Sequence, residues 1–180
     1  MHVAISRCAG CNGSGDVTPG ILVAGIGNIF LGDDGFGPEV LRHVWQRPAS
    51  PDVRVTDYGI RGMHLAYDLL DGWDALVLVD AVPSRGAPGS LHVFTAEHET
   101  LSTTTGLDAH AMDPQTVFAS LNALGGSPPH TVVVGCEVED VAEGIGLSEG
   151  VAAAVPRAVG LVEEVVTQLL ARNTMSVREV

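Results

Sequence analysis

Apolar and polar positions alternate between two periods along this chain. Ile21 to Ile26 is a short unbroken apolar run, which predicts a strand buried on both faces. Phe36 to Trp45 changes to a helical period, with Phe36, Val40, Leu41 and Val44 on one side, and Pro48 and Pro51 close it. Val53 to Asp57 predicts a short strand, with Val53 and Val55 on one face. Met63 to Leu70 predicts a helix after the Gly59–Gly62 turn. Ala75 to Val79, ending at Asp80, is the most apolar run and predicts a central strand. Ser90 to Phe94 predicts a further strand after a turn bracketed by Gly86 and Gly89. Pro114 fits the first turn of a helix capped by Asp113 and running to Leu124. His130 to Cys136 is again a buried strand. Ser148 can cap a final helix reaching about Arg172, interrupted near Pro156.

Strands alternating with helices predict an α/β fold. The expected architecture is a three-layer α/β/α sandwich around a mostly parallel, possibly mixed, sheet of about five strands. Residues 1–20 are rich in Gly, Ser and Cys without a period, and read as a flexible N-terminal arm. Residues 21–172 read as one domain, and residues 173–180 as a tail. Between them, Glu97 to Asp113 is polar and irregular, and long for a loop in a compact domain, as functional loops often are.

Composition narrows the function. An apolar fraction of 46% and a charged fraction of 17% suit a globular enzyme. Nine arginines and no lysine oppose 22 acids, for a net charge of −13. That balance speaks against nucleic acid or an anionic membrane as partner and suits a cation or a basic protein segment. No apolar run has the length of a membrane span, and the first 20 residues lack a signal-peptide pattern, so a cytoplasmic protein is expected.

Candidate chemistry begins where the first strand turns into the first helix, at Gly25-Ile-Gly-Asn28-Ile-Phe30-Leu-Gly32-Asp33-Asp34-Gly35-Phe-Gly37. In an open α/β sheet, ligands bind at this carboxyl edge. A dinucleotide fingerprint fails because Phe30 stands where its third glycine belongs, and a P-loop fails for want of lysine. The Asp33–Asp34 pair would repel phosphate. Asp34 lies just past the first strand and Asp80 at the end of the central one, so both acids can face one crevice. His110 precedes the Pro114 helix, with Asp108 and Asp113 near enough in sequence to orient an imidazole. Two carboxylates and one imidazole leave coordination positions open, and their hardness suits zinc, nickel, manganese or iron without choosing among them. Cys8 and Cys11 are half of a structural zinc site, which His2, a second chain or a partner would have to complete.

These residues resemble a known family. Ile21-Leu-Val-Ala-Gly-Ile-Gly-Asn28 followed by Gly32-Asp-Asp-Gly-Phe-Gly-Pro38 is similar to the opening of the hydrogenase maturation proteases. Leu76-Val-Leu-Val-Asp80-Ala-Val82, Pro88-Gly89, His110, Thr131-Val-Val-Val-Gly135 and Gly144-Ile-Gly-Leu-Ser148 follow in the family's order. The resemblance covers roughly residues 21–170. It implies an endopeptidase that removes the C-terminal extension of a [NiFe]-hydrogenase large-subunit precursor once nickel is inserted. The nickel would arrive with the substrate, and zinc or cadmium can substitute for it. By the same resemblance the metal-contacting and catalytic residues are Asp34, Asp80 and His110, Asp34 standing where some members carry Glu. The family's loop after the second strand often reads Asp-Gly-Gly-Thr, and here it is Asp57-Tyr-Gly59-Ile-Arg61-Gly62. Asn28 and Gly59 are expected along the substrate's path, and Arg61 at the substrate's carboxylate end. The metal either activates water or only positions the peptide while a carboxylate acts as base. The same ligands would also serve a metal-delivery protein without hydrolytic activity.

Overall fold

The computed structural model describes residues 20–44, 50–96 and 114–176, with side chains of the last helix described as far as Arg172. In chain order the elements are β1 (Ile21–Ile26), α1 (Phe36–Val44), β2 (Val53–Gly59), α2 (Gly62–Asp68), β3 (Ala75–Val82), β4 (Leu91–Thr95), α3 (Pro114–Ala123), β5 (His130–Glu137) and α4 (Glu149–Ser176). A 3-10 turn, Gly32–Gly35, leads into α1. The five strands form one sheet in the order β2-β1-β3-β5-β4, parallel except for β4, which runs antiparallel to β5 at one edge.

Burial on both faces explains the unbroken apolar runs. Ile21, Val23, Ala75, Val77, Val79, Val132 and Val134 pack against α1 and α4. Leu22, Ala24, Ile26, Leu76, Leu78 and Val133 pack beneath α2 and α3. Odd and even positions of β1 and β3 therefore feed two separate cores, as a period of two requires. The four parallel strands end at one edge of the sheet. The chain leaves β1 for β2 on one side, whereas β3 lies on the other, so a crevice opens between β1 and β3 at that edge.

Three local expectations change. β3 runs to Val82, so Asp80 lies within the strand, opposite Gly135, rather than just after it. The last helix is not interrupted at Pro156. Pro156 faces solvent, where water can satisfy the carbonyl that a proline leaves without a donor. Val151, Val155, Val159 and Val162 meanwhile hold the helix to the sheet on both sides of it. Ser148 does precede α4 and its carbonyl accepts the Ala152 N–H, but its hydroxyl donates elsewhere, to Asp33. Trp45, His110, Asp113, Cys8 and Cys11 lie outside the described residues.

Candidate active site

The site is built from the ends of β1, β2 and β3. At β1, two glycines let the chain fold back on itself. Gly27 has φ +131°, and a Cβ there would strike the Asp34 carbonyl. At Gly37 a Cβ would collide with the carbonyl oxygens of Ile26 and Val79, so only glycine brings the start of α1 directly over the β1–β3 crevice. The turn between them presents Asp34. Its Oδ2 accepts the Asn28 N–H at 2.6 Å, and the Asn28 side chain in turn accepts the Phe30 N–H at 3.0 Å. Asp34 is half-buried, and nothing among the described residues is bonded to its other oxygen. It is an oxygen donor held on one side by the Asn28 backbone.

Asp33, next in the turn, points inward and does different work. It is fully buried and accepts four hydrogen bonds: from the Ser148 N–H (2.6 Å), the Ser148 hydroxyl (2.9 Å), the Glu139 N–H (2.8 Å) and the Asp140 N–H (3.2 Å). Burial alone would raise the pKa of this carboxyl. The bonds from Ser148, Glu139 and Asp140 together outweigh burial and hold it below the ordinary aspartate value. Backbone bonds reinforce the junction: Gly32 N–H to Gly144 O, Asp33 N–H to Asp140 O and Gly144 N–H to Phe30 O. The β1–α1 turn and the β5–α4 connection are thus laced together.

Asp80 stands at the carboxyl end of β3, half-buried, one position beyond the Gly25–Val79 pair that joins β1 to β3. Its Oδ1 accepts the Ala81 N–H at 2.8 Å. Asp34 and Asp80 therefore belong to the ends of neighbouring strands on one edge. Among the described residues no group of three His, Cys, Asp or Glu side chains forms a metal site, and His110 lies outside them.

At β2 the ladder slips. Gly25 pairs with Asp57 but Ile26 pairs with Gly59, leaving Tyr58 as an extra residue. The bulge lets the Gly59 carbonyl accept the Gly27 N–H, while the Gly59 N–H is held by Asp57 Oδ1 at 2.8 Å. Tyr58 turns into the core and donates to Asp68, and burial together with that carboxylate raises the pKa of the tyrosine. Arg61 folds back over its own loop: Nε donates to the Tyr58 carbonyl and Nη2 to the Asp57 carbonyl. A groove of about 620 Å³ opens beside the turn, with Ile29, Gly32, Gly35, Asp57, Ile145 and Leu147 among its lining residues. Asp57 is a third carboxylate at this edge that the sequence reading passed over as a site residue. It lies within β2, two residues before that strand ends at Gly59.

A family profile described as hydrogenase maturation protease matches residues 38–165. The chain is 31% identical over 153 residues to the hydrogenase 2 maturation protease of Escherichia coli, covering 84% of this chain and 88% of that protein. Among solved structures, the hydrogenase maturating endopeptidase HybD from E. coli superposes with a TM-score of 0.72 at 29% identity, covering 83% of this chain and 93% of the other. A hydrogenase 2 maturation peptidase from a Thaumarchaeota archaeon gives 0.62 at 31%, covering 81% and 97%. The profile and the likenesses each cover more than two thirds of the chain, which belongs to the hydrogenase maturation proteases, endopeptidases of hydrogenase maturation.

Proposed function

We propose that this endopeptidase removes the C-terminal extension of a [NiFe]-hydrogenase large-subunit precursor after nickel insertion, and that it reads the nickel through Asp34, Asp80 and His110. The observation that supports this reading is that Asp34, in the turn after β1, and Asp80, near the end of the neighbouring parallel strand β3, lie at the same edge of the sheet. Two carboxylates at one edge favour a cation held near both. The cation comes with the substrate, so a precursor without metal lacks the anchor, and cleavage becomes a checkpoint on metal insertion.

The chain's own residues orient and bind. Asn28 fixes Asp34 through its backbone N–H. Asn28 and Gly59 stand along the path of the substrate tail, and Arg61 lies at its carboxylate end. The groove of about 620 Å³ beside the turn lies next to that path. Zinc or cadmium, which accept the same oxygen and nitrogen donors, would occupy the same position.

The test is cleavage of a nickel-loaded precursor, read by mass spectrometry. Asp34→Asn, Asp80→Asn and His110→Ala are each expected to slow release of the C-terminal peptide by about 100-fold or more. Wild-type rates in all three variants would overturn the assignment.

A further inference from the structure

The carboxyl edge of the sheet is unusually apolar on its outside. Phe30 is 61% exposed, Ile60 63% and Ile145 81%, and Ile29, Met63 and Val141 are exposed as well. Phe30, Ile60 and Ile145 come from three connections, β1–α1, β2–α2 and β5–α4, which all leave the sheet at the same edge. Single exposed apolar residues need no explanation, but a group around one crevice marks a contact surface. The group is also held in place. Gly144 donates to the Phe30 carbonyl and Gly32 to the Gly144 carbonyl, so Phe30 and Ile145 project from two strands of chain bonded to each other. Asp33 ties the same connection at Glu139, Asp140 and Ser148. Ile145 is thus exposed on a fixed loop, and burying it in a complex costs little ordering entropy.

Charge narrows the partner. Residues 137–150 carry five acids and no Arg, Lys or His, and Glu139, Asp140, Glu143 and Glu149 are exposed. A lipid headgroup layer or a nucleic acid would be repelled, and so would a second copy of a chain of net charge −13. A protein with an apolar patch flanked by arginine or lysine fits.

We propose that this acid-rimmed apolar edge is the docking surface for the folded body of the protein substrate, which contacts Phe30, Ile60 and Ile145 while its tail enters the crevice. The proposal rests on the reading of the chain as a precursor protease and adds that recognition extends beyond metal and tail. Steady-state cleavage and biolayer interferometry with the nickel-loaded precursor test it. The double variant Phe30→Ser/Ile145→Ser should raise both KM and Kd about tenfold or more, with kcat within about twofold of wild type. Glu139→Gln/Glu143→Gln should raise KM severalfold at low salt and flatten its dependence on ionic strength. Phe94→Ser, on the far part of β4, should change neither constant.

A Phe30→Ser/Ile145→Ser enzyme with wild-type KM and Kd would overturn the proposal, as would a loss confined to kcat. Sedimentation showing that wild type self-associates through this edge, and that the double variant does not, would assign the edge to a second copy instead. A wild-type chain that leaves the precursor uncut removes the reading of function, and this proposal with it.

Discussion

At the residue scale, Asp33 and Asp34 share a type and a turn but not a task. Asp34 is half-buried with one oxygen held by the Asn28 N–H, whereas Asp33 is sealed inside with four donors. Truncating Asp33 leaves those donors buried without an acceptor. Asp33→Ala should therefore destabilise the fold by about 2 to 4 kcal/mol, read as a lower midpoint in urea at unchanged slope. A loss below about 0.5 kcal/mol would mean that water replaces the carboxylate. The sequence reading singled out Asp34 in this pair, but Asp33's reach was invisible. Its partners lie 106 to 115 residues away, and three of the four donors are backbone N–H groups, which every residue but proline carries. Asp57 was missed for a different reason: the bulge at Tyr58 that ties its loop to Gly27 has no signature in a run of alternating side chains.

At the scale of elements, the apolar strands were readable because burial on both faces demands apolar residues throughout, as in β1, β3 and β5. The strand ends and connections were not, because their hydrogen bonds are tertiary. Glu137, at the end of β5, shows this. It is buried and accepts from the Arg85 N–H (2.7 Å), the Ala87 N–H (3.1 Å) and His92 Nε2 (2.8 Å), which pins the β3–β4 connection. The Arg85 N–H and His92 bonds lower its pKa from the ordinary 4.5. A carboxyl with a lowered folded pKa contributes stability above its unfolded value, and that contribution fades as pH falls through the folded one. Melting temperatures of wild type and Glu137→Gln should hence differ most near neutrality and converge below about pH 4. A constant gap at every pH would assign the difference to packing. Pro156 belongs to this scale too. Its solvent-facing position lets α4 pass through it, yet one helix bond is missing. Pro156→Ala should stabilise the protein by about 1 to 3 kcal/mol in urea melts. A destabilised variant would show that the pyrrolidine ring itself packs against the groove.

For the molecule as a whole, net charge sets a background against which both cores must hold. Thirteen uncompensated negative charges repel one another across a domain of this size. Raising sodium chloride from about 10 to 300 mM should lift the melting temperature by about 2 to 5 °C through screening. A fall in that range would mean that the ion pairs, such as Arg54–Asp68, outweigh the repulsion. The fold class and the mostly parallel sheet were readable from element order, since strand–helix alternation admits few arrangements. Which connection would clasp which turn was not, because loop partners follow from three-dimensional closure.

The lacing of the β1–α1 turn to the β5–α4 connection also has a consequence in time. During synthesis the turn leaves the ribosome early, while residues 139–148 emerge more than a hundred residues later. Until then Asp33 has none of its four donors and the turn has no clamp. The aspartate at its tip exists as a residue long before it exists as a geometry. A nascent chain, or one truncated before Ser148, therefore carries Asp34 and Asp80 in full but cannot yet aim the first of them, and proteolytic competence waits for the last third of translation.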